Sequence, residues 1–66
     1  MKKAVIFLAT GFEETEAVGT IDVLRRGGID VMISSVTGSK TVTGAHGISI
    51  KSDVLFNEME YNDIDA

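Results

Sequence analysis

Residues 4–9 read Ala-Val-Ile-Phe-Leu-Ala, six apolar side chains in a row, with a glycine two positions later at Gly11. A strand with one wet face alternates apolar and polar residues. A continuous run with β-branched and aromatic members instead predicts a strand buried on both faces, as in a parallel sheet. Such a strand needs a neighbour on each side and helices above and below it. Lys2-Lys3 before the run resemble the start of a signal peptide, but six residues fall short of its apolar segment and far short of the roughly 20 residues of a membrane span.

The next segment has helical spacing. Ala17, Ile21 and Leu24 recur at intervals of four and three, with Val18 alongside, and form one apolar stripe. Glu13, Glu14 and Glu16 crowd the first turn and Arg25-Arg26 the last, both suited to the helix dipole. Gly27-Gly28 supplies a left-handed cap, so the spacing predicts a helix over 13–26. Residues 29–36 read as a second strand, with Asp30 near its beginning. Strand, helix and strand make a βαβ unit with an expected right-handed crossover. Lys40–Thr43 and Ile48–Lys51 then predict two short strands around Gly44-Ala45-His46-Gly47, a hairpin expected on the sheet edge. Val54-Leu55-Phe56 is a last apolar patch, and residues 57–66 are mostly polar and acidic with no closing element in view. There is no internal repeat and no linker.

One helix cannot cover both faces of a parallel sheet. The fold class expected is α/β, a flavodoxin-like parallel-sheet sandwich of which residues 1–66 hold the βαβ unit and the hairpin. An exposed apolar face and edge would remain, so the chain reads as the front part of one larger domain whose remainder lies after Ala66. The rival is a small interaction module that dimerises. Composition narrows the chemistry. There is no cysteine and one histidine, which excludes disulfides, thiolate metal sites and multi-histidine zinc cages. Six basic against ten acidic residues give a net charge of -4 with no basic stripe, a poor surface for nucleic acid or an anionic membrane. A cytoplasmic protein is expected.

Ligands of open α/β sheets bind beyond the carboxyl ends of the strands. The loop there, Thr10 to Glu16, holds a lone glycine and three carboxylates, which argues against a dinucleotide phosphate. Acids in a first helical turn commonly do no more than offset the dipole. Glu16 lies one turn past Phe12 and shares a helix face with Glu13 and Thr20. A carboxyl there could donate a hydrogen bond to a thiolate or an oxyanion. A second reading is a receiver-like magnesium pocket, which would also need an aspartate ending a later strand, and none is present. His46 reads as an exposed turn residue. Arg25 and Arg26 read as helix C-terminal cations. No cofactor and no metal ligand are expected.

Gly11-Phe12-Glu13-Glu14-Thr15-Glu16 after the apolar run, followed by Asp22-Val23-Leu24-Arg25-Arg26-Gly27-Gly28-Ile29, resembles the start of the ThiJ/PfpI family, the group of the Parkinson-disease protein deglycase and its bacterial relatives. The likeness runs through the hairpin and Asp53. It implies a homodimer and a reactive cysteine on a nucleophile elbow, supported by a glutamate whose place Glu16 takes. Arg26 would lie near the dimer contact, and His46 stands where some members carry an arginine. Members are credited with deglycase, glyoxalase-type, chaperone and oxidative-stress roles. The cysteine would have to come from beyond Ala66, so the 66 residues alone are expected to be inactive.

Overall fold

The computed structural model describes residues 2–60, 62 and 64–66. The apolar run forms β1 (Lys3–Leu8), followed by α1 (Glu14–Arg26) and β2 (Asp30–Ser35). Two three-residue strands follow, β3 (Thr41–Thr43) and β4 (Ser49–Lys51), then β5 (Val54–Leu55) and a 3-10 turn over Phe56–Glu58. The main sheet has the order β1-β2-β5, and both pairings are parallel. Ala4 lies opposite Val31, Ile6 opposite Ile33 and Leu8 opposite Ser35. The fold is therefore α/β, as the sequence predicts.

Alternation along the strands divides their side chains between two faces. Ala4, Leu8, Val31 and Ile33 are buried with Ala17 and Ile21 of α1, and Ile6 and Leu24 pack against this core. Val18, read as part of the stripe, is half exposed. The opposite face is only partly covered among the described residues. Phe7 is 46% exposed, Met32 37% and Phe56 50%, and the two phenylalanine rings meet edge to face at 5.6 Å. None of the helices is long and apolar enough to cross a membrane, among the described residues.

Two expectations need correction. The hairpin is not on the edge of the main sheet. β3 and β4 form a separate antiparallel pair, and Val42 inserts into the core beneath α1 at 1% exposure. The edge of β2 is already taken by β5 and by Asp53. Asp53 donates its N–H to the Ile33 carbonyl (2.9 Å) and accepts the Ile33 N–H on Oδ2 (2.8 Å). One residue thus satisfies both backbone groups of Ile33 and extends the ladder by a rung.

The last residues also do more than trail away. Ala66 donates to the Lys3 carbonyl (3.2 Å) and accepts the Val5 N–H (2.8 Å), which is parallel strand pairing. Asp65 donates to the same Lys3 carbonyl (2.8 Å), and its side chain accepts the Lys3 N–H (2.9 Å). Residues 65 and 66 therefore pair with the edge of β1 that β2 leaves free. β1 becomes a central strand, which accounts for its continuous apolar run.

Candidate functional site

The chain leaves the carboxyl end of β1 through Ala9–Phe12 and turns into α1. Gly11 has φ +88°, a left-handed conformation that glycine adopts without strain. Its N–H donates to the Thr43 carbonyl (2.9 Å), while Ala45 donates to the Phe12 carbonyl (2.8 Å). The loop after β1 is thus stitched to the hairpin, and the hairpin tip is held over the start of α1.

That arrangement gives the three glutamates different environments. Glu13 is the N-cap, and its Oε1 accepts the Thr15 N–H at 2.9 Å. Glu14 is buried, at 6% exposure. Its Oε2 accepts the backbone N–H of His46 (2.7 Å) and of Ile48 (3.3 Å), and its Oε1 lies 2.9 Å from His46 Nδ1. Glu16 is exposed, and its carboxylate makes no hydrogen bond or ion pair among the described residues.

Burial raises the pKa of Glu14, but the His46 ring and the backbone N–H groups of Glu14, His46 and Ile48 outweigh it and hold the carboxyl at about 2. His46 is shifted the other way. Its hydrogen bond to Glu14, with the charges of Glu14 and Glu13, raises its pKa against the opposing effect of desolvation. An imidazolium against a carboxylate is the favoured pair. Glu13 Oε2 stands 3.5 Å from the same Nδ1.

Arg25 and Arg26 are engaged at the other end of the helix. Arg26 bonds Asp22 at 3.1 Å, an exposed pair one turn apart. Arg25 donates to the Val31 carbonyl at 2.9 Å and lies 3.9 Å from Asp53, so it ties the helix end to the sheet rather than only meeting the dipole. The structure therefore brings His46 to Glu13 and Glu14, and leaves Glu16 and Arg26 apart from that group. A cleft lined by Ser35, Val36, Gly38, Leu55 and Phe56 opens beyond the carboxyl ends of β2 and β5.

Sequence reading missed the role of Glu14. As an acid in a first helical turn it matched the dipole pattern, and its partner lies 32 positions away. The available signal was Gly44. A Cβ there would stand 2.6 Å from the Glu14 carboxyl carbon, so only glycine leaves room for the carboxylate.

The βαβ start and the hairpin match known proteins. The sequence profile of the DJ-1/PfpI family matches residues 2–66. The chain belongs to that family. It is 47% identical over 58 residues to Protein DJ-1 homolog B of Arabidopsis thaliana, covering 88% of this chain and 13% of that one. It is 31% identical over 64 residues to a deglycase of Thermococcus kodakarensis, covering 97% of this chain and 38% of the relative. Among solved structures, oxidized DJ-1 of Toxoplasma gondii superposes with a TM-score of 0.93 at 35% identity, covering 98% of this chain and 35% of that one. The 66 residues therefore span well under half the length of these DJ-1/PfpI relatives.

Proposed function

We propose that this segment forms the front of a DJ-1/PfpI domain and supplies Glu16 as the carboxyl that supports a reactive cysteine carried outside residues 1–66. Cysteine-dependent deglycase-type chemistry is the reaction class, and the deglycase of Thermococcus kodakarensis is the relative whose name supports it. One observation carries the reading. Glu13 is committed to the helix cap and Glu14 to the hairpin, so Glu16 is the acid of the first turn whose carboxylate remains open among the described residues.

The chemistry needs this division. A thiolate is the nucleophile, and a neighbouring carboxyl that donates a hydrogen bond stabilises it or the sulfinate formed on oxidation. A carboxylate already saturated by backbone N–H groups could not do so. The 66 residues contain no cysteine, so they perform no such reaction by themselves. Assembly with the rest of a domain, and of domains into a homodimer in the cytoplasm, completes the proposal.

Thiol titration of the complete protein tests it. Glu16→Gln should shift the apparent pKa of the reactive cysteine, and Glu13→Gln should leave it in place. Equal shifts in both variants, or none in either, would reduce Glu16 to a residue of the helix dipole.

A further inference from the structure

The Glu13, Glu14 and His46 side chains converge where the start of α1 meets the hairpin tip. Each carboxylate divides its two oxygens between two tasks. Glu13 uses Oε1 for the Thr15 N–H and turns Oε2 to the imidazole at 3.5 Å. Glu14 uses Oε2 for the His46 and Ile48 N–H groups and turns Oε1 to the imidazole at 2.9 Å. The three inward atoms lie within 4.8 Å of one another.

We propose that Glu13, Glu14 and His46 form a three-ligand site for a divalent transition ion of the zinc type. Zinc bonds nitrogen and carboxylate oxygen at about 2.0–2.2 Å, so tetrahedral ligands stand about 3.3–3.5 Å apart. The Glu13 to His46 separation already has that value, and the Glu14 to His46 separation needs to open by roughly 0.5 Å to reach it. The backbone N–H groups that hold the outward oxygens would orient both carboxylates, the part that outer hydrogen bonds play around known metal sites. Gly44 keeps the space beside the Glu14 carboxylate open, since a Cβ would come 2.6 Å from it. The His46 side chain is 72% exposed, so an ion can enter from solvent and keep water in its remaining position.

The donor set chooses the metal. One imidazole nitrogen with two carboxylate oxygens suits zinc, nickel or copper, whereas magnesium prefers oxygen alone. The site differs from the receiver-like magnesium pocket considered from sequence, because its third ligand is the histidine of the hairpin tip and not an aspartate at a strand end. It also differs from the reading of Glu16, which is not a member.

Calorimetric titration of zinc chloride into the chain, with His46 ring resonances followed by NMR, tests the site. One equivalent should bind and move the ring resonances. His46→Ala should weaken binding at least 100-fold and Glu13→Gln at least 10-fold, while Glu60→Gln changes neither. Magnesium should bind at least 100-fold more weakly than zinc. Where the chain is only partly folded, zinc should raise its helix content, and His46→Ala should remove that effect. Zinc binding that survives His46→Ala, or a His46 ring unmoved by millimolar zinc, overturns the proposal. Because Glu16 is untouched, a failure here leaves the cysteine-supporting role standing, and the reverse also holds.

Discussion

Glu14 and His46 lie 32 positions apart and are joined twice, through the His46 backbone N–H at 2.7 Å and the ring Nδ1 at 2.9 Å. The first residue of α1 is thereby fastened to the tip of the β3-β4 hairpin. The backbone contact fixes where the tip sits, and the ring contact adds charge to it. A helix start and a hairpin that share no main-sheet pairing are thus made one unit at the carboxyl end of β1.

Gly44 is the residue on which this fastening depends. A Cβ at that position would meet the Glu14 carboxylate at 2.6 Å and the Phe12 carbonyl at 2.8 Å. The carboxylate is pinned by hydrogen bonds and the carbonyl is backbone, so neither can retreat easily. Gly44→Ala is expected to destabilise the hairpin by about 1–3 kcal/mol, the usual range for overpacking. Hydrogen exchange at Ala45, His46 and Ile48 reads the effect, and unchanged exchange there would contradict it.

The pair also sets a pH window. Glu14 titrates lower in the folded chain than its ordinary 4.5, so its contribution is complete above that value and is lost as pH falls through about 2. His46 titrates higher than its ordinary 6.5, so its contribution is complete below that value and is lost as pH rises through its raised folded pKa. In metal-free buffer, hairpin protection should therefore be greatest between about pH 4.5 and 6.5. His46→Ala should abolish the decline on the alkaline side and keep the one on the acid side. A hairpin whose exchange, corrected for intrinsic rates, is flat from pH 5 to 9 would overturn the assignment.

How much of this the sequence discloses depends on the range of each interaction. β1, α1 and β2 follow from local patterns: an uninterrupted apolar run, a stripe at helical spacing, and paired glycines after Arg26. The hairpin strands are equally local. Their position is not, because it depends on Val42 entering the core under α1 and on the edge of β2 being occupied by β5 and Asp53. Glu14 shows the same limit. Its composition and place in a first turn suit a solvated dipole residue, and only the tertiary contact with residues 46 and 48 makes it buried. Glu16 is singled out by its place in the motif, and the structure adds that its carboxylate, among the described residues, is free of the cap and hairpin contacts that occupy Glu13 and Glu14.

Asp53 offers a separate test of the sheet. Its side chain accepts the Ile33 N–H at 2.8 Å where the β2–β5 ladder has ended. Asp53→Ala leaves that N–H without its acceptor and is expected to destabilise by about 1–3 kcal/mol. Asp53→Asn retains a side-chain oxygen and should recover most of the loss. Exchange of the Ile33 amide distinguishes the two variants, and equal behaviour would mean that the Arg25 ion pair, not the hydrogen bond, is what matters.

The partly covered face leads to the last prediction. Leu8 is 2% exposed under α1, while Phe7, its neighbour on the other face, is 46% exposed beside Phe56. In a domain completed by further chain, both side chains would be buried. In the 66 residues alone, only Leu8 is. Leu8→Ala should therefore destabilise the isolated chain by about 2–5 kcal/mol, as truncation of a buried leucine does. Phe7→Ala should cost less than about 1 kcal/mol there, because nearly half of the ring is already in water. The same Phe7→Ala change in the complete protein should cost about 3–5 kcal/mol. The isolated chain should also melt over a broader range than the complete protein, since much of one sheet face lacks cover among the described residues. A sharp transition in a chain shown to be monomeric by sedimentation, with equal Phe7→Ala effects in both settings, would show that the sheet needs no second layer. A defined dimer with the same sharp transition would favour the dimerising module instead.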